Sequence, residues 1–290
     1  MPRHNASMVA VAAVPGSVAP AGRFLSVTHL HKAYTRTRGK AKEELKVLDD
    51  ITWSADAREF VTILGPSGCG KSTLLNCIAG LTDYNSGSIV LDGNGIDGPG
   101  ADRAVVFQHA SLLPWRTVAR NVSYGLELRR LYSKKEIAER VEKAISLVGL
   151  QGFEHHYPHE ISGGMQQRTN LARALALETK LVLMDEPFGA LDALTKETLQ
   201  DELSRMIDRY DRATVFITHD IREAIYLGDK VLVMSARPGR IIREVVVPFP
   251  RPRSRDLTES VEFEELVSEL RMLLHPTSAG SATADAAMSR

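Results

Sequence analysis

The chain has 290 residues, of which 43% are hydrophobic, enough for a buried core in one large domain or in one domain with lobes. Its 36 basic residues balance 36 acidic residues, so the composition does not favour a surface that neutralises the phosphates of a nucleic acid. The two cysteines, Cys69 and Cys77, are too few for a disulfide framework, and no stretch reaches the roughly 18 apolar residues that span a bilayer.

The two ends of the sequence are rich in Ala, Ser, Pro and Gly and show little apolar periodicity. This composition is typical of segments that do not fold, so we predict disordered tails over residues 1–22 and 276–290. The apolar stretch near the start also resembles a weak signal peptide. We favour the tail because Pro15, Gly16 and Pro20 interrupt that stretch.

Four short apolar runs have the length and composition of buried strands. They cover residues 60–64, 181–184, 214–218 and 231–234. The first run precedes a glycine-rich loop, the second precedes Asp185 and Glu186, and the third precedes His219. Because ligands bind at the carboxyl ends of strands in parallel α/β sheets, these runs predict an α/β domain with one shared site.

A helical pattern lies between the glycine-rich loop and Asp185. Ser133 and Glu136 have the spacing of a capping box, and Val141 and Ile145 belong to the helical repeat that follows. Gly149 is a typical helix stop. The pattern predicts a helical lobe inserted into the sheet domain.

The glycine-rich loop fits the pattern G-x-x-x-x-G-K-[ST] at every fixed position. Its residues, with the one that follows, are Gly65, Pro66, Ser67, Gly68, Cys69, Gly70, Lys71, Ser72 and Thr73. Glycines let several backbone N–H groups point at one phosphate, and the next helix adds its positive end. Lys71 supplies a cation to the β- and γ-phosphates, and the Ser72 hydroxyl suits Mg²⁺. The loop therefore predicts a site for ATP and Mg²⁺.

A phosphate loop needs a second metal-binding group and a group that activates water. Asp185 follows a buried strand, as a metal-positioning aspartate does, and Glu186 is placed to act as a general base. A surface turn before Pro187 is the alternative, which the preceding strand disfavours. The position of His219 alone does not decide between a structural and a functional role.

Further motifs carry a resemblance to a known family. Residues 161–168, Ile-Ser-Gly-Gly-Met-Gln-Gln-Arg, resemble the signature motif of the ABC ATPases. In family order, Gln108 resembles the Q-loop glutamine, residues 189–192 the D-loop, and His219 the switch histidine, while Tyr34 stands where an aromatic residue stacks on adenine. The signature differs from the common Leu-Ser-Gly-Gly-Gln at Ile161 and Met165. We expect activity to be kept, because Ser162 and both glycines retain the donors that face phosphate.

The resemblance implies an α/β fold: a P-loop NTPase (RecA-like) core with an N-terminal antiparallel β subdomain and an inserted α-helical subdomain. The ATPase domain would cover residues 23–250, with the helical subdomain at about 109–170. A C-terminal helical extension would cover residues 251–275, where an apolar repeat recurs at helical spacing. That repeat consists of Val261, Leu266, Leu270 and Leu273.

The resemblance also implies a role for each motif residue. The catalytic residues would be Glu186, His219, Gln108 and Lys71. The residues that bind Mg²⁺ would be Ser72, Gln108 and Asp185. The nucleotide would contact the phosphate loop up to Thr73 and also Tyr34, Ser162, Gly163, Gly164 and Asp192.

Partners follow from the same resemblance. In this family the signature of one subunit completes the ATP site of another, so a second copy is expected head to tail. Integral-membrane permease subunits are expected as direct partners, and a periplasmic or surface substrate-binding protein as an indirect one. No nucleic acid is expected. The chain would be peripheral, on the cytoplasmic face of the inner (plasma) membrane.

Residues 112–115, Leu-Leu-Pro-Trp, are similar to the branch that imports nitrate, sulfonates and taurine. We expect taurine or a related sulfonate as the transported substrate, with nitrate or another small solute as the alternative. A soluble ABC ATPase of DNA repair or translation is disfavoured, because Gln108 and Ser162 are too close for a long coiled coil and the chain holds one ATPase domain. A P-loop protein without turnover is disfavoured by Glu186 and His219.

Overall fold

The computed structural model describes residues 23–38, 41–189, 191–207 and 212–274. The predicted tails and Ala190 of the predicted D-loop lie outside these residues. Among the described residues, no helix has the length and apolar character needed to cross a membrane.

A four-stranded antiparallel sheet forms the N-terminal part of the fold. Its strands are β1 (Leu25–Arg38), β2 (Ala41–Ala55), β4 (Ser86–Leu91) and β5 (Asn94–Gly95), in the order β2-β1-β4-β5. Leu25 and Val27 of β1 are buried, and the intervening Ser26 is half-buried, because alternate side chains of a strand point to opposite faces. This sheet is the antiparallel β subdomain that the resemblance implied.

A six-stranded sheet carries the predicted site. It consists of β10 (Ile241–Val246), β9 (Lys230–Met234), β3 (Phe60–Leu64), β8 (Ala213–Thr218), β7 (Leu181–Asp185) and β6 (Arg103–Val106), in that order. Only β10 runs antiparallel to its neighbour. The four predicted strands are therefore confirmed, and they lie side by side as β9, β3, β8 and β7.

Both faces of the inner strands of the six-stranded sheet are covered, which explains why β3, β7, β8 and β9 are buried along their whole length. Phe60 and Leu64 of β3 belong to one apolar core, and Val61 and Ile63 belong to the other. Three helices follow β3, β7 and β8, respectively: α1 (Lys71–Ala79), α5 (Ala193–Ile207) and α6 (Ile221–Leu227). Because β3, β7 and β8 run parallel, their carboxyl ends meet at one edge of the sheet.

A helical segment separates β6 from β7. It contains α2 (Val118–Arg129), α3 (Lys134–Leu147), a 3₁₀ helix (Pro158–Glu160) and α4 (Gly163–Leu175). The predicted capping box is present: Ser133 Oγ accepts a hydrogen bond from the Glu136 amide at 3.3 Å, and Glu136 Oε2 accepts one from the Ser133 amide at 2.7 Å. The inserted helical lobe is confirmed.

The C-terminal segment is less helical than predicted. A 3₁₀ helix (Arg255–Glu259) precedes α7 (Val261–Leu274), and residues 251–254 are irregular. Pro252 explains this, because it lacks an N–H and restricts the residue before it. Val261 does not belong to the buried stripe: it is the first residue of α7 and is 70% exposed. The buried residues of α7 are Phe263, Leu266, Val267 and Leu270.

Candidate functional site

The phosphate loop joins the buried end of β3 to α1. Gly68 and Gly70 have positive φ angles of 74° and 109°, which favour glycine. A Cβ on Gly70 would lie 2.9 Å from Leu48 Cδ2, so this position also has no room for a side chain. Gly70 is the N-cap residue of α1 and provides no side-chain cap. The first amides of α1 are therefore left for an anion.

Lys71 is buried, with 6% relative exposure, at the first position of α1. Its Nζ donates hydrogen bonds to the backbone oxygens of Gly65 at 2.8 Å and Pro66 at 3.1 Å. The ammonium is thus held inside the loop by neutral acceptors. Phosphate oxygens carry negative charge and are stronger acceptors, so the geometry suits exchange of these bonds for contacts to phosphate.

Asp185 ends β7 beside the phosphate loop. Burial raises the pKa of Asp185, while the nearby Ser72 hydroxyl and Lys71 ammonium oppose the shift. Among the described residues, no hydrogen-bond partner reaches the buried Oδ1 of Asp185, although buried polar atoms are normally paired. A carboxylate oxygen without a partner, next to a hydroxyl, fits a hard cation and its water ligands. Ser72 and Asp185 therefore suit Mg²⁺.

Glu186 and His219 meet at the same sheet edge. The amide of Glu186 donates to the backbone oxygen of Ile217 on β8 at 3.0 Å, and its φ of 44° is unusual for a non-glycine residue. His219 Nδ1 lies 3.1 Å from Glu186 Oε2. An ionised carboxylate only accepts hydrogen bonds, so Nδ1 carries the proton in this contact. The predicted base and the predicted switch histidine are thus brought together.

Gln108 lies just beyond β6, which runs parallel to β7, and its side chain is exposed. The carbonyl of the preceding Phe107 accepts hydrogen bonds from Gln167 Nε2 at 3.1 Å and Asn170 Nδ2 at 3.0 Å. Both donors belong to α4, so the helix that begins at the signature also holds the backbone next to Gln108. The sequence analysis included Gln167 in the signature but assigned it no role.

The signature residues lie at the start of α4 and take no part in the contact between Glu186 and His219. Ser162 is the N-cap residue, and its Oγ accepts a hydrogen bond from the Met165 amide at 3.3 Å. Ser162 and Gly163 are exposed and Gly164 is half-buried, whereas the Met165 side chain packs against the core. No hydrogen bond of the described residues joins Ser162 to the phosphate loop.

Tyr34 and Asp192 have local partners. Tyr34 lies on β1, is 42% exposed, and has the Lys32 ammonium 4.7 Å from its ring centroid. Asp192 Oδ1 accepts a hydrogen bond from the Thr195 amide at 3.0 Å, at the start of α5. Hydrogen bonds from Thr195 lower the pKa of Asp192. The structure does not bring either side chain into the Glu186–His219 pair.

Arg237 is a site residue that the sequence analysis missed. Its Nε and Nη2 donate to the backbone oxygen of Gly68 at 3.1 and 2.8 Å. The loop that carries Arg237 packs closely against the phosphate loop. A Cβ added to Gly239 of this loop would lie 2.3 Å from the backbone oxygen of Cys69. Arg237 therefore restrains the loop from outside. No local pattern signals this contact, which joins residues 169 positions apart.

Comparison with known proteins gives consistent matches. The family model described as ABC transporter matches residues 48–189. A taurine import ATP-binding protein from Rhizobium johnstonii is 44% identical over 259 residues, which cover 88% of this chain and 97% of that protein. A nitrate import ATP-binding protein from Synechocystis sp. is 42% identical over 256 residues, covering 86% and 94%.

A solved structure matches as well. It is an ATP-binding cassette captured as a dimer in a post-hydrolysis state, bound to ADP and Pi. The TM-score is 0.70 with 30% sequence identity, and the match covers 78% of this chain and all of that one. The chain belongs to the ABC transporter family, as one of its ATP-binding, ATP-hydrolysing proteins.

Proposed function

We propose that the chain energises a membrane importer by hydrolysing ATP at the edge where β3, β7 and β8 end. The observation that carries this proposal is the 3.1 Å contact between Glu186 and His219, beside the phosphate loop. A base and a hydrogen-bond donor thereby face the position of the γ-phosphate. The His219 side chain is exposed, and an ion pair with an exposed partner contributes little to stability, which favours a functional role for this contact.

Binding of ATP falls to the phosphate loop. The free amides at the start of α1 hold the β-phosphate, and Lys71 exchanges the Gly65 and Pro66 oxygens for β- and γ-phosphate oxygens. Ser72 and Asp185 would hold Mg²⁺, with Gln108 proposed as a further ligand. The metal, when bound, neutralises charge that develops on the phosphates during transfer. Tyr34 stacks on the adenine.

Hydrolysis falls to the two residues at the ends of β7 and β8. The Glu186 carboxylate takes a proton from a water molecule whose oxygen attacks the γ-phosphorus. As that bond forms, the bond from the γ-phosphorus to the bridging oxygen breaks, and ADP leaves with the electron pair. When ATP is bound, the Nδ1–H of His219 donates to a γ-phosphate oxygen in place of the Glu186 carboxylate, which leaves the base free to accept the proton.

A second copy completes the site in this proposal. Ser162, Gly163 and Gly164 of one copy contact the γ-phosphate held by the phosphate loop of the other, and Asp192 lies at the interface between them. The exposure of Ser162 and Gly163 supports this arrangement. Closure is driven by ATP because the closed dimer has a higher affinity for ATP than for ADP. Permease subunits convert closure into transport at the cytoplasmic face of the membrane.

Taurine or a related sulfonate is the proposed substrate. The taurine and nitrate import relatives are almost equally similar to this chain, so overall identity favours the importer branch rather than one member of it. Residues 112–115 resemble the branch as a whole, and the taurine assignment is supported by residues 98–103, Gly-Pro-Gly-Ala-Asp-Arg, which resemble the taurine import ATPases more closely than other members. Nitrate remains the second candidate, because selection of the substrate falls to the proposed permease and binding protein.

Substitution of Glu186 tests the proposed base. Glu186→Gln keeps the shape of the side chain but is a far weaker base, so turnover should fall by about 100-fold or more while ATP still binds. Glu142→Gln, at an exposed position of α3, is the matched control and should leave turnover unchanged. Normal hydrolysis by Glu186→Gln would show that the base is another group.

Uptake measurements test the proposed substrate. Deletion of the gene in its host should abolish uptake of labelled taurine and leave nitrate uptake intact, and the wild-type gene should restore it where Glu186→Gln does not. Loss of nitrate uptake alone would assign the chain to the second candidate. Unchanged uptake of every solute, with a defect in DNA repair or translation, would support a soluble ABC ATPase instead.

A further inference from the structure

The loop that carries His219 is fixed by one buried carboxyl group. His219 lies between Thr218, the last residue of β8, and Asp220, the N-cap residue of α6. The Asp220 amide donates to Thr218 Oγ1 at 3.0 Å, and the Thr218 hydroxyl donates to Glu223 Oε2. Glu223 thereby restrains the residues on both sides of His219.

Glu223 depends in turn on α5. The side chain of Glu223 is 5% exposed, and burial raises its pKa, while Thr218 and Lys196 oppose the shift. Its Oε1 accepts a hydrogen bond from Gln200 Nε2 at 2.7 Å and lies 3.3 Å from Lys196 Nζ. A buried carboxylate keeps one orientation only when its acceptors are satisfied. The Gln200 amide must therefore present its NH₂ group to Glu223.

Arg255 determines which way the Gln200 amide points. Arg255 Nη2 donates to Gln200 Oε1 at 3.1 Å, Nε donates to Asp201 Oδ1 at 2.6 Å, and the guanidinium lies 4.6 Å from the Tyr226 ring centroid. Arginine has donors and no acceptor. If the Gln200 amide were rotated, its NH₂ group would face the Arg255 donor and its oxygen would face the Glu223 carboxylate. Neither pair could form a hydrogen bond, so Arg255 selects one orientation.

We infer that Arg255 is a positioning residue for His219, acting through Gln200, Glu223 and Thr218. The inference rests on the proposed role of His219. Four consecutive hydrogen bonds join Arg255 to the backbone beside His219. Turnover by this site therefore depends on a residue of the C-terminal segment, which lies beyond the range that the family model matches.

The same segment holds the far end of α6. Arg253 is buried, and its Nη1 donates to the backbone oxygens of Ile225, Tyr226 and Gly228 at 2.9, 3.1 and 2.7 Å. These are carbonyls at the end of a helix, where a cation is favourable. A helix of seven residues is too short to be stable alone. Residues 251–255 thus fix both the position of α6 and the contacts at its start.

Kinetics of an Arg255 variant test the inference. Arg255→Met should lower kcat for ATP about tenfold, because small misplacement of a catalytic group is costly, and should change KM by less than about twofold. Arg271→Met, at an exposed position of α7, is the control and should leave both values unchanged. An unchanged kcat, or a loss that appears only in KM, would overturn the inference.

A second variant interrupts the chain of hydrogen bonds from Arg255 to the His219 loop, which we call the relay, without removing Arg255. Gln200→Glu keeps an ionic partner for Arg255 but places a carboxylate against the buried Glu223, so kcat should fall, and the melting temperature should fall as well. Turnover is therefore compared at a temperature well below both melting transitions. Combined with Arg255→Met, it should cause no further loss, since both changes interrupt one chain of contacts. Losses that multiply would contradict the relay.

His219→Ala separates the two proposals. Loss of turnover in His219→Ala, together with normal kcat in Arg255→Met and Gln200→Glu, would keep the proposed function and reject the positioning role. Normal turnover in His219→Ala would reject the proposed role of His219, and the inference with it.

Discussion

The N-termini of α1 and α4 both suit an anion, but they differ in how they are capped. At α1 the N-cap residue is Gly70, no side chain caps the helix, and the adjoining loop is held by Lys71 and Arg237. At α4 the N-cap residue is Ser162, whose hydroxyl already accepts a hydrogen bond from the Met165 amide. Neither helix has an acidic residue in its first turn, so both suit an anion.

The difference lies in how complete each site is within one chain. The α1 start is enclosed by its own loop, with the Lys71 ammonium buried inside it, so we expect it to bind phosphate without a partner. The α4 start is open, with Ser162 and Gly163 exposed, and its cap is satisfied without a ligand. The first should control ATP binding, and the second should control events that require a partner.

Removal of the Lys71 ammonium should have the largest effect. Lys71→Ala should weaken ATP binding by about 100-fold, as expected for loss of charged hydrogen bonds of about 1.5–3 kcal/mol. Isothermal titration with ATP and Mg²⁺ measures this. Lys134→Ala, an exposed lysine at the first position of α3, is the control. Equal ATP affinity of the two variants would show that Lys71 does not contribute to ATP binding.

A charge at Ser162 should affect turnover and leave binding intact. Asp and Asn cap helices about as well as Ser, so Ser162→Asp and Ser162→Asn should both keep the melting temperature. Only the Ser162→Asp carboxylate would repel the γ-phosphate that is bound by a second copy, so this variant should lower turnover about 100-fold. Titration should give wild-type ATP affinity for both variants. Equal turnover of the two variants would argue against contact between Ser162 and the γ-phosphate.

Alanine at the two glycines should have smaller and unequal effects on stability. Gly70→Ala should lower the free energy of unfolding by about 1–3 kcal/mol, because φ is 109° and the Cβ has no room. At Gly164 the added Cβ would meet Leu191 Cδ2 at 3.4 Å, an ordinary contact. Gly164→Ala should therefore change stability by less than about 1 kcal/mol. Urea denaturation of both variants checks the order.

The strands at the site were predictable because each contains a short apolar run, and three of the four runs end at a motif. β3, β7, β8 and β9 are buried along their whole length, as a parallel sheet covered on both faces requires. Local signals also predicted α3, through the capping pair Ser133 and Glu136. The phosphate-loop assignment needed only a spacing rule, whereas the roles of Gln108 and Tyr34 needed the family resemblance.

Contacts between distant residues were not predictable. Arg237 and Gly68 meet because their two loops leave adjacent strands, β9 and β3, and no periodicity records that proximity. Arg255 likewise contacts Asp201 and Gln200 of α5 across sequence separations of 54 and 55 residues. Val261 was assigned to the wrong face because helical spacing does not show where a helix begins. The start of α7 is determined by Ser260, whose Oγ accepts a hydrogen bond from the Phe263 amide at 3.2 Å.

We expect two copies of the chain to complete each ATP site by joining the start of α1 in one copy to the start of α4 in the other. Sedimentation of Glu186→Gln tests this most directly, since slow hydrolysis preserves the bound state. Without ATP this variant should sediment as a monomer, and with ATP and Mg²⁺ it should sediment as a dimer. Ser162→Asp added to Glu186→Gln should abolish the dimer, and Ser162→Asn should not. A dimer that forms without ATP, or that persists with Ser162→Asp, would contradict the account.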